Sequence, residues 1–449
     1  MSREWKALWL VSLASAASSL DVTLMFVAYP EILDTFNDTP ATQVSWVISG
    51  YNIMVAALLI PAGRLADRFG HRRVFLWAIA IFMTGSMAVG LAPNAPFMIA
   101  ARCYQAFGGS SLITSGLALV MTTLGPQRRA VAVGVWATVA GVVASLAPSL
   151  GAVAIEFVSW RAGFFIMIPV GAATLVRRNL IPESAVDADV ELPDMVGVVL
   201  AGLSTAALVL GIVQFNEWGS DDPRVIGALA AAAAGLALFL VRCHRHPAPV
   251  IDLALFRNRV FASTAAAAAL VGLAFYGLFL SLVQFLRGPW EYSTLAAGLL
   301  LTPLTAVTSI MGYASGRLME RFGHRVVMVP AAGCITAGCV WMAAMAGLDR
   351  ELALVWFPAV LVMGLGIGTV FPGVNSAIAH GLAPGQLGLA AGTVQTVIRI
   401  GGAVGVAVGV AVVGGGDFDD YDTFFIFLAA SAGLAGMAAL GMATGNKEN

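Results

Sequence analysis

The segment GRLADRFGHRRV, at residues 63–74, is repeated as a near-copy, GRLMERFGHRVV, at residues 316–327, and this repeat is the main evidence for the fold. Each copy is short, rich in charge and bounded by glycine, and each lies between two long apolar runs. A loop of this kind that recurs in the second half of a chain indicates an internal duplication. The repeat therefore sets the architecture into which every other motif has to fit.

The composition predicts a protein whose surface is solvated mostly by lipid. The chain has 449 residues, of which 59% are hydrophobic and only 11% are charged, whereas a soluble domain has about 25% charged residues. The net charge of −1 gives no reason to expect a nucleic-acid partner. The four cysteines lie in or beside apolar runs without metal-ligand spacing, so we expect no metal and no other cofactor.

Apolar runs of the length of a membrane-spanning helix, about 20 residues, follow one another along the chain. The apparent secretory signal at the amino terminus is the start of the first run, which continues too far for a signal peptide. The runs lack the period-two alternation of membrane β-strands, so they predict an all-α polytopic membrane protein. We expect fourteen spanning helices near residues 7–30, 43–62, 73–92, 96–124, 130–156, 160–178, 194–214, 224–243, 260–286, 294–315, 325–346, 352–378, 387–414 and 422–442.

The distribution of lysine and arginine predicts the orientation of these helices. With the amino terminus in the cytoplasm, eighteen of these residues fall in cytoplasmic segments and four in outer segments. Cytoplasmic loops carry the excess of positive charge, so we expect both termini in the cytoplasm and a multi-pass protein of the plasma membrane. Arg102 and Arg399 are the two that remain inside predicted helices.

The positions of the two repeated loops predict the domain organisation. Both loops fall on the cytoplasmic side, between the second and third helix of their halves, so the halves share one orientation. We expect a 6 + 2 + 6 arrangement: a six-helix bundle at residues 1–180, a linker with two extra helices at residues 181–250, and a second six-helix bundle at residues 251–449.

The loop at residues 63–74 resembles, in complete form, the signature loop of the major facilitator superfamily. Further segments resemble the fourteen-helix drug:proton antiporter branch of that superfamily, whose halves are related by a pseudo-twofold axis. The segments that carry this second resemblance are LDVT at 20–23, AYP at 28–30, Trp46, Tyr51, SWR at 159–161, IPVG at 168–171, and Gly392, Arg399, Gly401, Gly402 and Gly405.

The resemblance implies a secondary transporter that exports lipophilic small molecules in exchange for protons, by alternating access around a central cavity. Its partners would be protons, a small-molecule substrate and the lipid bilayer, and we expect it to act as a monomer. Residues 147–152 read APSLGA where the antiporters carry GPxxGG, and this departure keeps a proton-coupled importer or a uniporter as an alternative. A second departure, Phe26 in place of a usual asparagine, bears on the substrate. An enzyme is not expected, because no cluster of His, Asp or Glu lies near one face.

Asp21 is the principal candidate for proton coupling, and Arg102 is its expected partner. Asp21 lies near the middle of the first apolar run, where a carboxylate costs about 2.5–3.5 kcal/mol and should face a cavity or a partner. Burial favours a neutral carboxyl group and a nearby cation favours the carboxylate, so a group between these influences can bind and release a proton. Arginine would act as a fixed charge. A static structural ion pair is the alternative.

Three further sets of residues are predicted to serve transport. An apolar cavity with few polar groups would suit a lipophilic substrate. The repeated loops would act as gates rather than as positive-inside anchors alone: Gly63 and Gly316 would let backbones approach closely, and Asp67 and Glu320 would pair with arginines or with the positive amino end of a neighbouring helix. Pro148 and Gly151 would bend or thin the fifth helix, and Gly401, Gly405 and Gly409 would allow close contact between helices. The cavity set is Asn52, Gln105, Tyr276, Gln284, Asn375, Gln395 and Arg399; the gating set is Gly63, Asp67, Arg68, Gly70, Arg72, Gly316, Glu320 and Arg321; the fifth-helix set is Pro148 and Gly151.

Overall fold

The protein is almost entirely helical. A computed structural model describes residues 2–124, 128–183, 186, 194–378, 382, 386–413 and 418–442. Short 3-10 or π segments lie at Arg178–Leu180, Leu253–Arg257 and Leu352–Trp356. The α-helices are α1 (Arg3–Thr35), α2 (Ala41–Val44), α3 (Trp46–Phe69), α4 (His71–Gly90), α5 (Ala95–Thr123), α6 (Arg129–Phe157), α7 (Trp160–Phe165), α8 (Ile168–Val176), α9 (Met195–Val213), α10 (Phe215–Trp218), α11 (Pro223–Arg245), α12 (Arg259–Arg287), α13 (Thr294–Phe322), α14 (His324–Met345), α15 (Phe357–Ala377), α16 (Leu387–Val413) and α17 (Phe418–Ala439).

Most of these helices have the length and composition of membrane spans. Within the described residues, thirteen helices are long and apolar enough to cross a membrane, and a shorter apolar stretch covers Trp160–Val176. The expected all-helical membrane architecture is therefore confirmed.

The sixth predicted run differs from the expectation of one continuous helix. It consists of α7 and α8, with a break at Ile166 and Met167. Pro169 lies at the start of α8, where its missing N–H costs no helical hydrogen bond. The same residue inside a continuous helix would remove one such bond and would clash with the preceding turn.

The chain forms two compact units, one of residues 1–202 with 246–250 and the other of residues 203–245 with 251–449. The same helices pair in both units. In the first, α1 packs on α6, and α5 packs on both α3 and α4; in the second, α12 packs on α16, and α15 packs on both α13 and α14. This shared pairing is what a duplicated six-helix set predicts. The division into three segments at residues 180 and 250 stays a prediction.

Glycines at helix contacts determine how closely α12 and α16 approach each other. A Cβ atom on Gly401 would collide with the carbonyl oxygen of Ala269, and one on Gly405 would collide with that of Leu273. On the facing helix, a Cβ on Gly272 would collide with the carbonyl of Ile398. Backbone therefore lies against backbone, as small residues allow in membrane helices.

In both repeated loops, a glycine with a positive φ angle separates two helices. Gly70 separates α3 from α4 and has φ 94°, and Gly323 separates α13 from α14 and has φ 83°. Side chains other than glycine rarely adopt these positive φ values. Each glycine thus allows one helix to end and the next to begin with a single residue between them.

We predict that Gly401→Ala destabilises the protein by about 1–3 kcal/mol, because the new methyl group has to displace the backbone of α12. Thermal unfolding of the purified protein measures the effect. Gly333→Ala is the matched control, since Gly333 is an exposed helical glycine whose Cβ would have no neighbour within 4 Å. Equal melting temperatures for the two variants would contradict the predicted backbone contact.

Candidate functional site

The first unit contains an ion pair buried among apolar helices. Nη1 of Arg102, on α5, donates a hydrogen bond to Oδ2 of Asp21, on α1, at 2.6 Å. Asp21 is 3% exposed and Arg102 is 1% exposed. The structure therefore brings together the two residues that the sequence paired, and in this conformation it encloses both.

Other groups complete the hydrogen bonding of this ion pair. Gln105 accepts from Nη1 of Arg102 at 2.7 Å, and its own Nε2 donates to Oδ1 of Asp21 at 2.9 Å and to Oγ of Ser86 at 2.8 Å. Nε of Arg102 donates to the carbonyl of Val47 at 3.2 Å. The guanidinium carbon lies 4.1 Å from the ring centroid of Tyr51, within cation–π distance.

The sequence arranges this network through helix spacing and one glycine. Arg102 and Gln105 are three residues apart on α5, so their side chains are neighbours on the helix surface. A Cβ atom on Gly85 would lie 2.7 Å from the Cβ of Gln105, so α4 approaches α5 closely and brings Ser86 within reach. Gln105 was predicted to line the substrate cavity, but here it bridges the ion pair. Ser86 was not predicted, because a lone serine in an apolar run carries no distinctive signal.

The second unit brings most of the remaining polar candidates together around α16. Nη1 of Arg399 donates to the hydroxyl of Tyr276, on α12, at 2.5 Å. One helical turn earlier, Nε2 of Gln395 donates to Oδ1 of Asn375, on α15, at 3.0 Å. Gln395 and Arg399 are four residues apart and share one face of α16. Gln284 lies eight residues beyond Tyr276 on α12, about 12 Å along the helix, and is not part of this group.

Aromatic side chains flank this polar group. The ring of Phe275 lies 5.3 Å from that of Tyr276, and 4.9 Å from those of both Phe279 and Phe371, measured between centroids. Sequence reasoning missed these phenylalanines because an aromatic residue in an apolar helix usually indicates packing alone. Asn52 lies in the first unit, 2% exposed, and donates to the carbonyl of Ile48 in its own helix.

Arginines fasten the first repeated loop to later parts of the first unit. Arg64 donates to the carbonyls of Ala248 and Pro249, at 2.9 Å each. Arg72 donates to the carbonyl of Arg178 at 3.1 Å and pairs with Glu183. The conformation of the loop is therefore linked to the segments that follow α8 and α11.

Two details of the gating prediction need correction. Asp67 lies 3.2 Å from Nε2 of His71, the first residue of α4, so it contacts a helix amino end rather than an arginine, and Glu320 forms no ion pair with any described residue. Gly63 and Gly316 were expected to allow a close backbone approach, yet a Cβ on either has nothing within 4 Å among the described residues. Within the two loops, the glycines whose positive φ angle favours glycine are Gly70 and Gly323.

The second copy of the loop makes different contacts from the first. Arg317 lies over the ring of Tyr313 and donates to its hydroxyl at 3.1 Å, and Arg321 lies over Phe322. Nε2 of His324 lies 2.8 Å from Oγ of Ser376. The repeat therefore preserves the backbone form of the loop more closely than its side-chain contacts.

Comparison with known proteins identifies the family. The family model described as Major Facilitator Superfamily matches residues 11–406. The chain belongs to the major facilitator superfamily. It is 31% identical to the lincomycin resistance protein of Streptomyces lincolnensis, over 97% of this chain and 90% of that protein. It is also 31% identical to the tetracenomycin C resistance and export protein of Streptomyces glaucescens, over 90% of this chain and 75% of that protein.

Two solved transporter structures share the fold. The human organic anion transporter MFSD10 (TETRAN) matches with a TM-score of 0.67 at 16% identity, over 98% of this chain and 100% of that one. A mutant form of the nucleoside transporter NupG matches with a TM-score of 0.69 at 11% identity, over 98% of this chain and 99% of that one. The chain is thus a membrane protein of a transporter family rather than an enzyme family, and its relatives include drug-resistance and export proteins.

The fifth-helix residues lie on α6 of this superfamily fold, and Gly151 faces α1. Pro148 is inside α6, and a Cβ on Gly151 would lie 2.6 Å from Cδ1 of Leu24. Gly163 approaches the same leucine, with a hypothetical Cβ at 2.8 Å. The side chain of Leu24 is therefore seated against two glycines, and α1 and α6 pack closely around it.

We predict that Arg102→Met costs about 3–5 kcal/mol of stability, because it leaves the Asp21 carboxylate buried without its cation. Adding Asp21→Asn should recover part of the loss by removing that charge. Thermal unfolding in detergent measures both effects.

Arg350→Met is the matched control for this prediction. It breaks the Arg350–Glu291 pair, whose nitrogen and oxygen lie 3.4 Å apart and whose side chains are 48% and 81% exposed. Exposed pairs contribute about 1 kcal/mol or less. A loss for Arg102→Met no larger than that of the control would show that the buried pair is not coupled as described.

Proposed function

We propose that this protein is a proton-coupled exporter of lipophilic small molecules that works by alternating access. In this proposal it is the fourteen-helix type, arranged 6 + 2 + 6, and lies in the plasma membrane as a monomer with both termini in the cytoplasm. The observation that carries the proposal is the buried network of Asp21, Arg102 and Gln105.

The network has the chemical properties that proton coupling needs. Asp21 and Asp194 are the buried acidic residues among those described, and Asp194 caps the start of α9 by accepting from the N–H of Gly197. Asp21 is thus the deeply placed carboxylate that is not committed to a helix cap. Protonation would remove its charge and weaken its attraction to Arg102, which stays charged. Gln105 accepts from Arg102 and donates to Asp21, so its two ends favour the charged arrangement.

The cost of burial supports a functional role over a purely structural one. Replacing a buried ion pair with apolar residues of similar volume is often neutral or stabilising, so stability alone is a weak reason to bury two charges here. Charged residues inside membrane spans commonly mark ion or substrate pathways. A carboxylate and an arginine whose attraction changes when a proton binds provide the two states that coupled transport requires.

The direction and the substrate class rest on different observations. The names of several relatives describe antibiotic resistance, and one describes resistance and export, which supports efflux over uptake. The aromatic cluster of Phe275, Phe279 and Phe371 beside Tyr276 and Arg399 offers apolar surface with few polar groups, as lipophilic ligands need. The chain carries no GxxxxGK(S/T) nucleotide loop, so an ion gradient is the proposed energy source.

We predict that Asp21→Asn abolishes substrate-driven proton flux in proteoliposomes, because the amide cannot bind and release a proton. The asparagine oxygen, Gln105 and the carbonyl of Val47 can still accept from Arg102, so the variant should fold, with a lower melting temperature because the arginine has lost its counter-ion. A pH-sensitive dye inside the vesicles measures flux, and a melting curve checks folding.

Glu156→Gln is the matched control, since it removes an exposed carboxylate at the end of α6 and should leave the flux unchanged. Normal flux in Asp21→Asn would remove Asp21 from the mechanism. An efflux assay with and without a pH gradient separates export from import, and substrate accumulation inside cells would favour the importer.

We also propose that the first repeated loop is a gate, whose arginines release and re-form their contacts during the cycle. Asp67→Asn should slow transport about tenfold or more while leaving substrate binding in place, because it removes the partner of His71 at the start of α4. Equilibrium binding and transport rate, measured on one preparation, separate these effects.

Glu4→Gln is the control for the loop prediction, since Glu4 is an exposed acid near the beginning of α1, outside the loop. Turnover should be unchanged in this control. Unchanged turnover in Asp67→Asn would reduce the loop to a positively charged anchor.

A further inference from the structure

An open groove of about 590 Å³ lies in the first unit where α1 approaches the end of α8. It shares no lining residue with the Asp21 network or with the repeated loops. One wall consists of residues 6–13 of α1, and the other consists of Val176 and the residues that follow it, as far as Leu180.

The wall formed by α1 changes in chemistry with depth. Lys6 is three and four residues before Trp9 and Leu10, and Leu13 is four and three residues after them, so the four side chains occupy one face. From Lys6 to Leu13 the helix rises about 10 Å. A cation thus comes first, an indole next and an aliphatic side chain deepest. This order matches one leaflet of a bilayer, in which the headgroup lies outside, the interface in the middle and the acyl chains within.

The opposite wall repeats this order. Val176, the last residue of α8, is 81% exposed, and Arg177 follows it immediately. Trp9 and Leu13 are 42% and 39% exposed, although they lie in the first membrane span. Apolar side chains left uncovered beside two cations form a surface that is suited to lipid rather than to water.

The cations of the groove have no acidic counterpart among the residues that the structure describes. Neither the Lys6 ammonium nor the Arg177 guanidinium has a hydrogen bond or an ion pair with any described residue, and no acidic residue is among the lining residues. Glu4 is two residues from Lys6 and therefore points to another face of α1. Arg3 donates to the carbonyl of Asn179 at 2.6 Å, which fastens the beginning of α1 to the segment that carries Arg177.

We propose that this groove binds one anionic phospholipid of the cytoplasmic leaflet. Lys6 and Arg177 contact the phosphate, the indole of Trp9 lies at the level of the glycerol, and one acyl chain lies over Leu13 and Val176. Basic pockets between membrane helices on this side of the bilayer suit acidic headgroups. The site does not depend on proton coupling, and only its assignment to the cytoplasmic leaflet rests on the orientation proposed above.

Native mass spectrometry of the purified protein with phosphatidylglycerol tests this site. Wild type should retain a phosphatidylglycerol molecule in preference to phosphatidylcholine. Lys6→Gln with Arg177→Gln should weaken retention roughly thirtyfold, because each basic residue near an anionic surface contributes about a fivefold effect. The control removes two exposed arginines outside the groove, Arg257→Gln with Arg259→Gln, and should retain the lipid as wild type does.

Two further arms distinguish a lipid from free phosphate and keep the test independent of folding. Trp9→Ala changes no charge but should also weaken phosphatidylglycerol retention, whereas inorganic phosphate should neither displace the lipid nor raise the melting temperature. Equal retention by wild type and the Lys6/Arg177 variant would overturn the proposal. So would stabilisation by inorganic phosphate together with unchanged retention in Trp9→Ala.

Discussion

The ion pair between Asp21 and Arg102 is the constraint on which the first unit depends, because two charges that are almost without exposed surface must be satisfied entirely by protein. Contributions from four helices meet this requirement: the carboxylate from α1, the arginine and Gln105 from α5, Ser86 from α4, and a backbone carbonyl with an aromatic face from α3. Any movement that separates α1 from α5 must therefore supply new partners for both charges. This links conformation to protonation through elementary electrostatics.

The architecture was largely predictable, since hydrophobic length and the repeated loop are properties of the sequence itself. The spanning segments and the similarity of the two halves both appear in the structure, and the same helices pair in each unit. The break between α7 and α8 was not predicted, because Pro169 is compatible either with a kink or with a new helix start. Close helix packing was predicted at Gly401 and Gly405 but not at Gly272.

The contact between the charged residues of the candidate site was predictable from the sequence, whereas the roles of its neutral residues were less so. A lone carboxylate and a lone arginine in apolar runs are conspicuous, and their contact could be inferred from the need to pair them. The bridging role of Gln105 depends on rotamers and on the approach of α4 at Gly85, which spacing does not reveal. The loops illustrate the same limit. Their backbone form repeats at Gly70 and Gly323, whereas their side chains find different partners in each unit.

The fastening of residues 246–250 has a consequence for how the chain is assembled. Arg64 holds the carbonyls of Ala248 and Pro249, and a Cβ on Gly197 would lie 3.0 Å from a methyl group of Val250. The chain leaves the first unit near Gly202, and on its return Val250 packs against Gly197, five residues before that point in α9. The two ends of the segment at residues 203–245 lie close together. A single insertion or deletion can therefore add or remove this segment without changing the path of the remaining helices.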